Sequence, residues 1–330
     1  MKKSAKIKIS ATAALLCFAI SAFMGIPETA FGSGGGYKTS FHACDAGVGG
    51  DDPWIWDYDL NYIYWASNDI MNIFAGASRF VWTEIPGYGY WWQYAGPTYG
   101  HRQNFLYWDS NRPGGAGPRS STTYNNVDNG IWDGETYHSF TTFSYVGHNA
   151  YESGHVGFLG NAYGEEPEEA DKIFDYDVDS RVTYPSNHHF VFLWVCRNAN
   201  PGSVMPYAWT KTSLGQDGYG SPDYSDYCFI GFENASPFLS CNLDGGYGKA
   251  KNWFVFFYYY SVTVGLNIKQ ALDSASYASG FSTFLHTPMG NPSGYYIYWP
   301  GPDPDAGPIW GKMHVYGDGY YNIPGDIYES

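Results

Sequence analysis

The sequence predicts an α/β fold with a mostly parallel central sheet, and two observations support it. The run 189–195 (His-Phe-Val-Phe-Leu-Trp-Val) is apolar at almost every position, which is typical of a central parallel strand buried on both faces. It and two further strand patterns, 139–146 and 227–232, are separated by long or helical connections, as crossovers between parallel strands require. No domain boundary is apparent within 54–330, so we expect this part of the chain to form a single domain.

The first 32 residues have the features of a secretory signal peptide. Four lysines precede an apolar run at 11–26, and Ala30 and Gly32 place small residues at positions −3 and −1 of a cleavage site. The apolar run is short for a membrane span, and no second apolar stretch of spanning length follows it. We therefore expect a secreted, extracellular protein with no stable membrane span after removal of 1–32. An uncleaved anchor is the less favoured alternative.

The next hundred residues carry weaker patterns. The Gly-rich segment 33–53 is expected to be a loose lead-in. A short helix is predicted over 67–74, capped by Ser67 or Asn68, and a strand over 80–85. The segment 86–136 is aromatic and rich in Gly, Pro and Asn, which indicates a surface elaboration or a short β layer.

Towards the carboxyl end the pattern becomes helical. The segment 252–264 is apolar, has the length of a helix and is closed by Gly265. A second helix is predicted over 267–277, with Asn267 as its cap. A last short strand is expected over 313–316.

Composition limits the partners of the chain. The net charge of −15 argues against a nucleic-acid partner, which would require a basic surface. Aromatic residues make up 20% of the chain, and 41 Gly and 19 Pro indicate many loops and turns. The aspartates at 175, 177 and 179 resemble the start of an EF-hand loop, but Ser180 replaces its required glycine. No zinc or phosphate-loop spacing is present, so no cofactor or metal site is predicted, and structural calcium of another kind stays open.

The mature chain would contain four cysteines, namely Cys44, Cys196, Cys228 and Cys241, since Cys17 lies in the signal peptide. An even number in an exported protein suggests disulfides. If Cys196 is a free thiol, one bridge remains possible, either Cys228–Cys241 or Cys44–Cys241. The sequence does not distinguish the two.

Two consecutive predicted strands end on residues that can perform nucleophilic catalysis. His148 follows the strand 139–146, and Cys196 follows 189–195. Functional groups of an open α/β sheet gather at the carboxyl ends of its strands. A histidine near a cysteine can accept its proton or stabilise the thiolate, so these residues form a candidate dyad. The competing interpretation is an inert core cysteine.

The residues around this dyad resemble a known family. Residues 145–148 (Tyr-Val-Gly-His) resemble the strand end that carries the catalytic histidine of caspase-fold cysteine peptidases, especially the gingipain, clostripain and caspase-HetF-associated branches. Residues 190–197 are similar to the next strand, which ends on the nucleophilic cysteine. Three weaker similarities follow in the family's order: 229–232, 265–272 and 315–318. The resemblance covers roughly 140–320.

This resemblance implies a caspase-like three-layer α/β/α sandwich with aromatic, loop-rich insertions, acting on a protein or peptide substrate. In it Cys196 attacks the peptide carbonyl, and His148 protonates the leaving amine. Backbone N–H groups at Cys196 and near Asn149 would hold the oxyanion. The family commonly has glycine where this chain has Asn149, so asparagine is expected in a conformation that glycine adopts more cheaply. His155, in Gly-His-Val-Gly, is either an alternative base or a loop residue.

Specificity and the rival functions rest on less specific patterns. Acidic residues at 165–169 and 175–179 are candidates for a pocket charge, although a solvated acidic loop is the favoured interpretation. His188 and His189 are expected to be polar residues at a strand edge. The aromatic segments around Trp91 and Trp92 suggest an alternative function in binding glycans or surfaces, although most aromatic residues pack in cores. A third hypothesis is a non-catalytic caspase-like scaffold.

Overall fold

The structure is a computed structural model, and it describes part of the chain. The described residues are 37–43, most of 62–74, 79–85, 89–95, 105–108, 124–137, 140–147, 149–159, 172–214, 226–241, 249–280, 295–297 and 309–323. All of them belong to one compact unit, Gly36–Ser330. None of the helices in these segments has the length and apolar character needed to cross a membrane.

Twelve strands and five α-helices have defined bounds. The strands are β1 (Tyr37–Ala43), β2 (Arg79–Ile85), β3 (Gly89–Ala95), β4 (Phe105–Trp108), β5 (Phe140–Val146), β6 (Asn149–Glu152), β7 (His155–Leu159), β8 (Lys172–Phe174), β9 (His188–Trp194), β10 (Cys228–Asn234), β11 (Tyr295–Ile297) and β12 (Ile309–Gly317). The helices are α1 (Tyr124–Tyr137), α2 (Asp175–Arg181), α3 (Met205–Thr210), α4 (Ala250–Tyr258), which continues as a π-helix (Tyr259–Thr263), and α5 (Ile268–Ala278). Most of the described residues in 62–74 are also helical.

Seven of these strands form the central sheet, in the order β11-β12-β10-β9-β5-β1-β4. The five strands from β4 to β10 run parallel to their neighbours. At the far edge, β12 is antiparallel to β10, and β11 is antiparallel to β12. The predicted α/β fold with a mostly parallel central sheet is therefore confirmed.

Strand β9 lies in the middle of this sheet and is buried on both faces. Phe190, Phe192 and Trp194 contribute to the core on one face, whereas Val191 and Leu193 contribute to the core on the other. This alternation follows from the two-residue period of a strand. It explains why the run 189–195 is apolar throughout instead of alternating with polar residues.

Helices cover both faces of the sheet. The helical part of 62–74, α4 and α5 pack on the first face through residues such as Ile70, Trp253 and Leu272. The second face is covered by α1, α2, α3 and the three-stranded sheet β6-β7-β8, with Trp209 and Phe158 among the core residues. The described elements thus make three layers.

Several elements differ from their predicted form. Tyr37–Ala43, inside the expected lead-in, is strand β1 of the central sheet and pairs with both β4 and β5. Helix α1 occupies the end of the aromatic segment 86–136 and extends one residue beyond it. Ser67 does not cap the helix predicted at 67–74, because that helix includes earlier residues and the buried Ser67 hydroxyl donates to the Ile63 carbonyl. By contrast, Asn267 caps α5 as predicted and accepts from the Gln270 N–H at 2.9 Å.

Candidate functional site

The candidate site lies at the carboxyl ends of the parallel strands. The strand order reverses direction at β1, because β4 and β5 lie on its opposite sides, and ligands of open α/β sheets bind at the carboxyl ends of strands near such a point. The predicted dyad follows the neighbouring pair of strands, β5 and β9. The ladder between β5 and β9 ends with the pair Val146 and Trp194, and the Gly147 N–H donates to the Trp194 carbonyl at 3.3 Å. His148 and Cys196 each follow that pair by two positions along the chain. His148 itself lies outside the described residues.

Cys196 is a free, half-buried thiol in the turn that follows β9. The backbone N–H of Ser236 donates to its sulfur at 3.3 Å, and the Ser236 hydroxyl lies 3.5 Å from the same atom. Donors of this kind stabilise negative charge on sulfur. The surroundings of Cys196 are therefore polar and accessible, unlike those of an inert core cysteine.

The turn that carries Cys196 is fastened to the end of β10. The Arg197 N–H donates to the Asn234 carbonyl at 2.7 Å. The buried amide of Asn198 bridges two strands: it donates to the Leu193 carbonyl at 2.9 Å and accepts from the Phe232 N–H at 2.8 Å. These bonds give the turn one conformation, so the position of the thiol is determined by both strands.

Gly231 makes that bridge possible. A Cβ atom added at Gly231 would lie 2.0 Å from the Asn198 side-chain oxygen and 3.0 Å from the Ala199 Cβ atom. Contacts this short do not occur between non-bonded atoms. A side chain at position 231 would therefore displace the Asn198 amide. Sequence analysis found neither residue, because a buried bridging amide has no local signature.

The structure corrects the expectation for Asn149. This residue begins β6, so its backbone is extended and does not need a glycine-like conformation. The neighbouring N–H groups of Gly147 and Arg197 already donate to the carbonyls of Trp194 and Asn234. Neither of these two could donate to an oxyanion without giving up its present bond.

His155, the alternative base, begins β7 and is held by a buried carboxylate. Its Nδ1 atom lies 2.7 Å from Asp175 Oδ1, and the other carboxylate oxygen accepts weakly from the Val156 N–H at 3.4 Å. The Asp175 side chain is 3% exposed, the His155 side chain 46%. The ring of His155 also makes an edge contact with Tyr176, at 5.1 Å between ring centroids. Within the described residues, no hydrogen bond joins His155 to Cys196.

The acidic stretch 175–179 is not the solvated loop that was favoured from the sequence. It begins helix α2, where carboxylates near the N-terminus interact favourably with the helix dipole. Asp177 accepts from the Phe174 N–H at 2.9 Å, and Asp179 pairs with Lys211. Burial, and secondarily the nearby charges of Asp128 and Asp175, raises the pKa of Asp177. The other acidic stretch, 165–169, lies outside the described residues.

The two histidines at the start of β9 differ in burial. His188 is fully buried, and its Nε2 atom lies 3.1 Å from the Ile131 carbonyl. His189 is half-buried and stacks on Tyr227 at 4.9 Å between centroids. Both residues lie at the start of β9, and both pack against other elements.

One of the two disulfides considered from the sequence is not formed. Cys228 is a free thiol, so the Cys228–Cys241 bridge does not exist in this structure. Cys228 is buried at the start of β10. Burial, and secondarily the charge of Asp318, raises its pKa well above the usual thiol value. Cys44 lies outside the described residues.

The remaining predictions concern the aromatic segments and metals. Trp91 and Trp92 belong to β3, which pairs with β2 in a two-stranded antiparallel sheet, and their side chains lie outside the described residues. In the described part of the chain, no group of three or more His, Cys, Asp or Glu side chains is arranged to hold a metal ion.

No protein-family model matches the chain, and no curated protein is similar to it. The function proposed below therefore depends on the position and contacts of the residues at the carboxyl edge of the sheet.

Proposed function

We propose that the chain is a secreted caspase-fold cysteine peptidase that hydrolyses peptide bonds with Cys196 as nucleophile and His148 as its acid–base partner. One observation carries the proposal: a free, half-buried thiol follows β9, two residues beyond the register pair of Val146 and Trp194. Neighbouring strands lie about 4.8 Å apart. His148 and Cys196 each lie two positions beyond the paired residues of these neighbouring strands. The two are therefore candidates for direct contact.

The three layers and the parallel sheet also support the caspase-like fold implied by the sequence resemblance. In the proposed reaction the Cys196 sulfur bonds to the scissile carbonyl carbon, and the carbon–nitrogen bond then breaks. His148 supplies the proton that the leaving amine takes up. Water next attacks the thioester, releases the new carboxylic acid and regenerates the thiol. The Ser236 N–H would stabilise the attacking thiolate, as it already contacts the sulfur.

A peptidase assay on the purified secreted chain tests this proposal. Peptide libraries with a fluorogenic leaving group are incubated with the wild type and with Cys196→Ala, His148→Ala and His155→Ala variants. We expect Cys196→Ala to abolish hydrolysis and His148→Ala to lower kcat/KM by a factor of about 100 or more, the usual contribution of a general acid–base. Hydrolysis that survives Cys196→Ala would overturn the proposal, and a larger loss in His155→Ala would transfer the base role to His155.

Thiol labelling separates a peptidase from a non-catalytic scaffold. Iodoacetamide should alkylate Cys196 before Cys241, which is also half-buried, and the rate of Cys196 alkylation should fall in His148→Ala. Cys228 should stay unlabelled while the protein is folded, since it is buried and its pKa is raised. Equal, slow labelling of Cys196 and Cys241 would favour the scaffold. Cys241→Ala is the matched control in both assays.

A further inference from the structure

The residue after the candidate nucleophile has an unusual backbone conformation. Arg197 has φ = 65°, in the left-handed region that side chains other than glycine rarely occupy. The conformation is held by the Arg197 N–H, which donates to the Asn234 carbonyl at 2.7 Å. Glycine would adopt this turn at a lower free-energy cost. Non-glycine residues held in this region cluster at functional sites, so the side chain of Arg197 is a candidate for function.

That side chain is exposed and packs on an aromatic ring. The Arg197 guanidinium carbon lies 5.7 Å from the centre of the Tyr151 ring, and Tyr151 is 58% exposed. Tyr151 belongs to β6, which begins at Asn149. A cation on an aromatic face is attracted by the negative face of the ring. The N–H donors of the guanidinium lie in its own plane, so this contact leaves them available to an acceptor.

Arg197 also differs in charge pairing from three other cations of this acidic protein. Arg181, Lys211 and Lys251 are each paired with an aspartate. Within the described residues, Arg197 pairs with no carboxylate. An exposed, oriented guanidinium without a carboxylate partner therefore lies one residue from the candidate nucleophile, in a chain whose net charge is −15.

We infer that Arg197, oriented by Tyr151, binds a carboxylate of the substrate next to the bond that Cys196 attacks. That the carboxylate belongs to a substrate rests on the proposed function. The carboxylate site itself requires only the side chains of Arg197 and Tyr151 beside the Cys196 thiol. A guanidinium forms paired N–H···O bonds with a carboxylate, which makes arginine the suitable residue for this ligand. The carboxylate belongs either to an Asp or Glu side chain or to the carboxyl terminus of the substrate.

This inference is opposite to the less favoured interpretation of the acidic stretch 175–179, that of a negative pocket charge. A pocket charge there would select a basic substrate residue, but Asp175 is buried against His155 and Asp179 is paired with Lys211. Each of these two carboxylates therefore already has a partner within the protein. The unpaired charge beside Cys196 is positive.

A pair of alkylating reagents tests the site without any peptidase activity. Iodoacetate carries a carboxylate and iodoacetamide is its neutral counterpart, so the ratio of their rates at Cys196 reports carboxylate binding. Rates are measured by mass spectrometry of the Cys196 peptide at one pH and ionic strength. We expect Arg197→Gln to lower the iodoacetate-to-iodoacetamide ratio about two- to fivefold, as the loss of an exposed charge pair predicts. Tyr151→Ala should lower it less, because the charge remains but its orientation is lost.

Two controls make the result specific. Lys211→Gln removes one positive charge far along the chain and should leave the ratio unchanged, whereas Arg197→Lys should restore part of it. An unchanged ratio in Arg197→Gln, or an equal fall in Lys211→Gln, would overturn the inference. Labelling of Cys241 in each sample reports any change caused by partial unfolding.

Protection by peptides identifies the source of the carboxylate. Three peptides are compared as protectants of Cys196 against iodoacetamide: an amidated peptide with a central Asp, the same peptide with Asn, and an Asn peptide with a free carboxyl terminus. Stronger protection by the Asp peptide would show that the site binds acidic side chains. Stronger protection by the peptide with a free carboxyl terminus would show that it binds substrate termini. Equal protection by all three overturns the inference. If protection depends on Arg197 but no peptide is cleaved, the site stands and the proposed peptidase function fails.

Discussion

Two aspartates in the first turn of α2 show how strongly the role of a residue depends on its surroundings. Asp175 is buried and bonded to His155, so its charge has a partner. Asp177 accepts the Phe174 N–H but lies near the carboxylates of Asp128 and Asp175. Burial and these like charges raise the pKa of Asp177, so the folded protein binds its proton more tightly than the unfolded chain does.

The raised pKa predicts a pH-dependent effect of Asp177→Asn. At neutral pH the ionised Asp177 disfavours folding, so Asn should raise the free energy of unfolding, by less than about 1 kcal/mol because solvent screens a partly exposed group. A carboxyl group whose pKa is raised by folding stabilises the folded protein while it is protonated, below the unfolded pKa of 3.8. This stabilisation is lost as the pH rises and the group ionises. The gain from Asn should therefore be seen at pH 7 and disappear below pH 3.8.

Urea unfolding at the two pH values measures this difference. Asn at position 177 keeps an oxygen that accepts the Phe174 N–H, so the helix cap is preserved. Asp179→Asn is the matched control on the same helix, and it should not stabilise the protein because it loses the pairing with Lys211. A loss of stability in Asp177→Asn at pH 7 would contradict the prediction.

At the scale of elements, β9, its turn and β10 act as one unit. The Asn198 amide joins the Leu193 carbonyl to the Phe232 N–H, and the Arg197 and Ser236 backbone groups complete the connection around the Cys196 sulfur. The strands are neighbours and parallel. The Cys196 thiol is therefore positioned by a turn that is hydrogen-bonded to both strands (the β9–β10 joint), and not by an unattached loop.

Gly231→Ala should disrupt this joint. The new Cβ atom would lie 2.0 Å from the Asn198 oxygen, so either the amide or the strand must shift. We expect a loss of about 1–3 kcal/mol in unfolding free energy and slower alkylation of Cys196 by iodoacetamide. The cost should be smaller in an Asn198→Ala background, because the clashing oxygen is then absent.

Gly319→Ala is the control for this substitution. A Cβ atom there meets only the Lys269 Cβ at 3.8 Å, an ordinary contact, so stability and labelling should stay close to the wild type. Equal effects of the two alanines would show that Gly231 has no special part in holding the turn.

At the scale of the whole molecule, the sheet is covered on both faces by separate layers. Phe192 and Leu193 are adjacent in β9 and both 0% exposed, yet they belong to different cores. The first core contains α4 and α5, and the second contains α1, α2 and α3. Both layers are therefore expected to contribute to stability.

Truncation on each face tests this arrangement. Phe192→Ala and Leu193→Ala should each lower the free energy of unfolding by about 2–5 kcal/mol, the range for large buried side chains. Val264→Ala, at a position 43% exposed, should change it by less than about 0.5 kcal/mol. Chemical denaturation followed by Trp fluorescence measures all three. A Phe192 or Leu193 variant as stable as the control would show that one face is not packed.

Patterns within short stretches of the chain were enough to predict β5, β9, β10 and the helix that Asn267 caps. These depend on the period of apolar residues and on capping between neighbours, both of which are visible in sequence. Strand β1 was missed because its sequence, Tyr-Lys-Thr-Ser-Phe-His-Ala, contains no run of apolar residues and its flanks are rich in glycine.

The sequence by itself determined that an α/β sheet would present Cys196 at the end of a central strand. Only the tertiary structure decided what surrounds that thiol: Ser236 at the sulfur, Asn198 fastening the turn, and Arg197 on the Tyr151 ring. It also decided that His155 pairs with the buried Asp175. The physical reason is that strand and helix patterns arise between near neighbours, whereas these contacts join residues that only the folded sheet brings together.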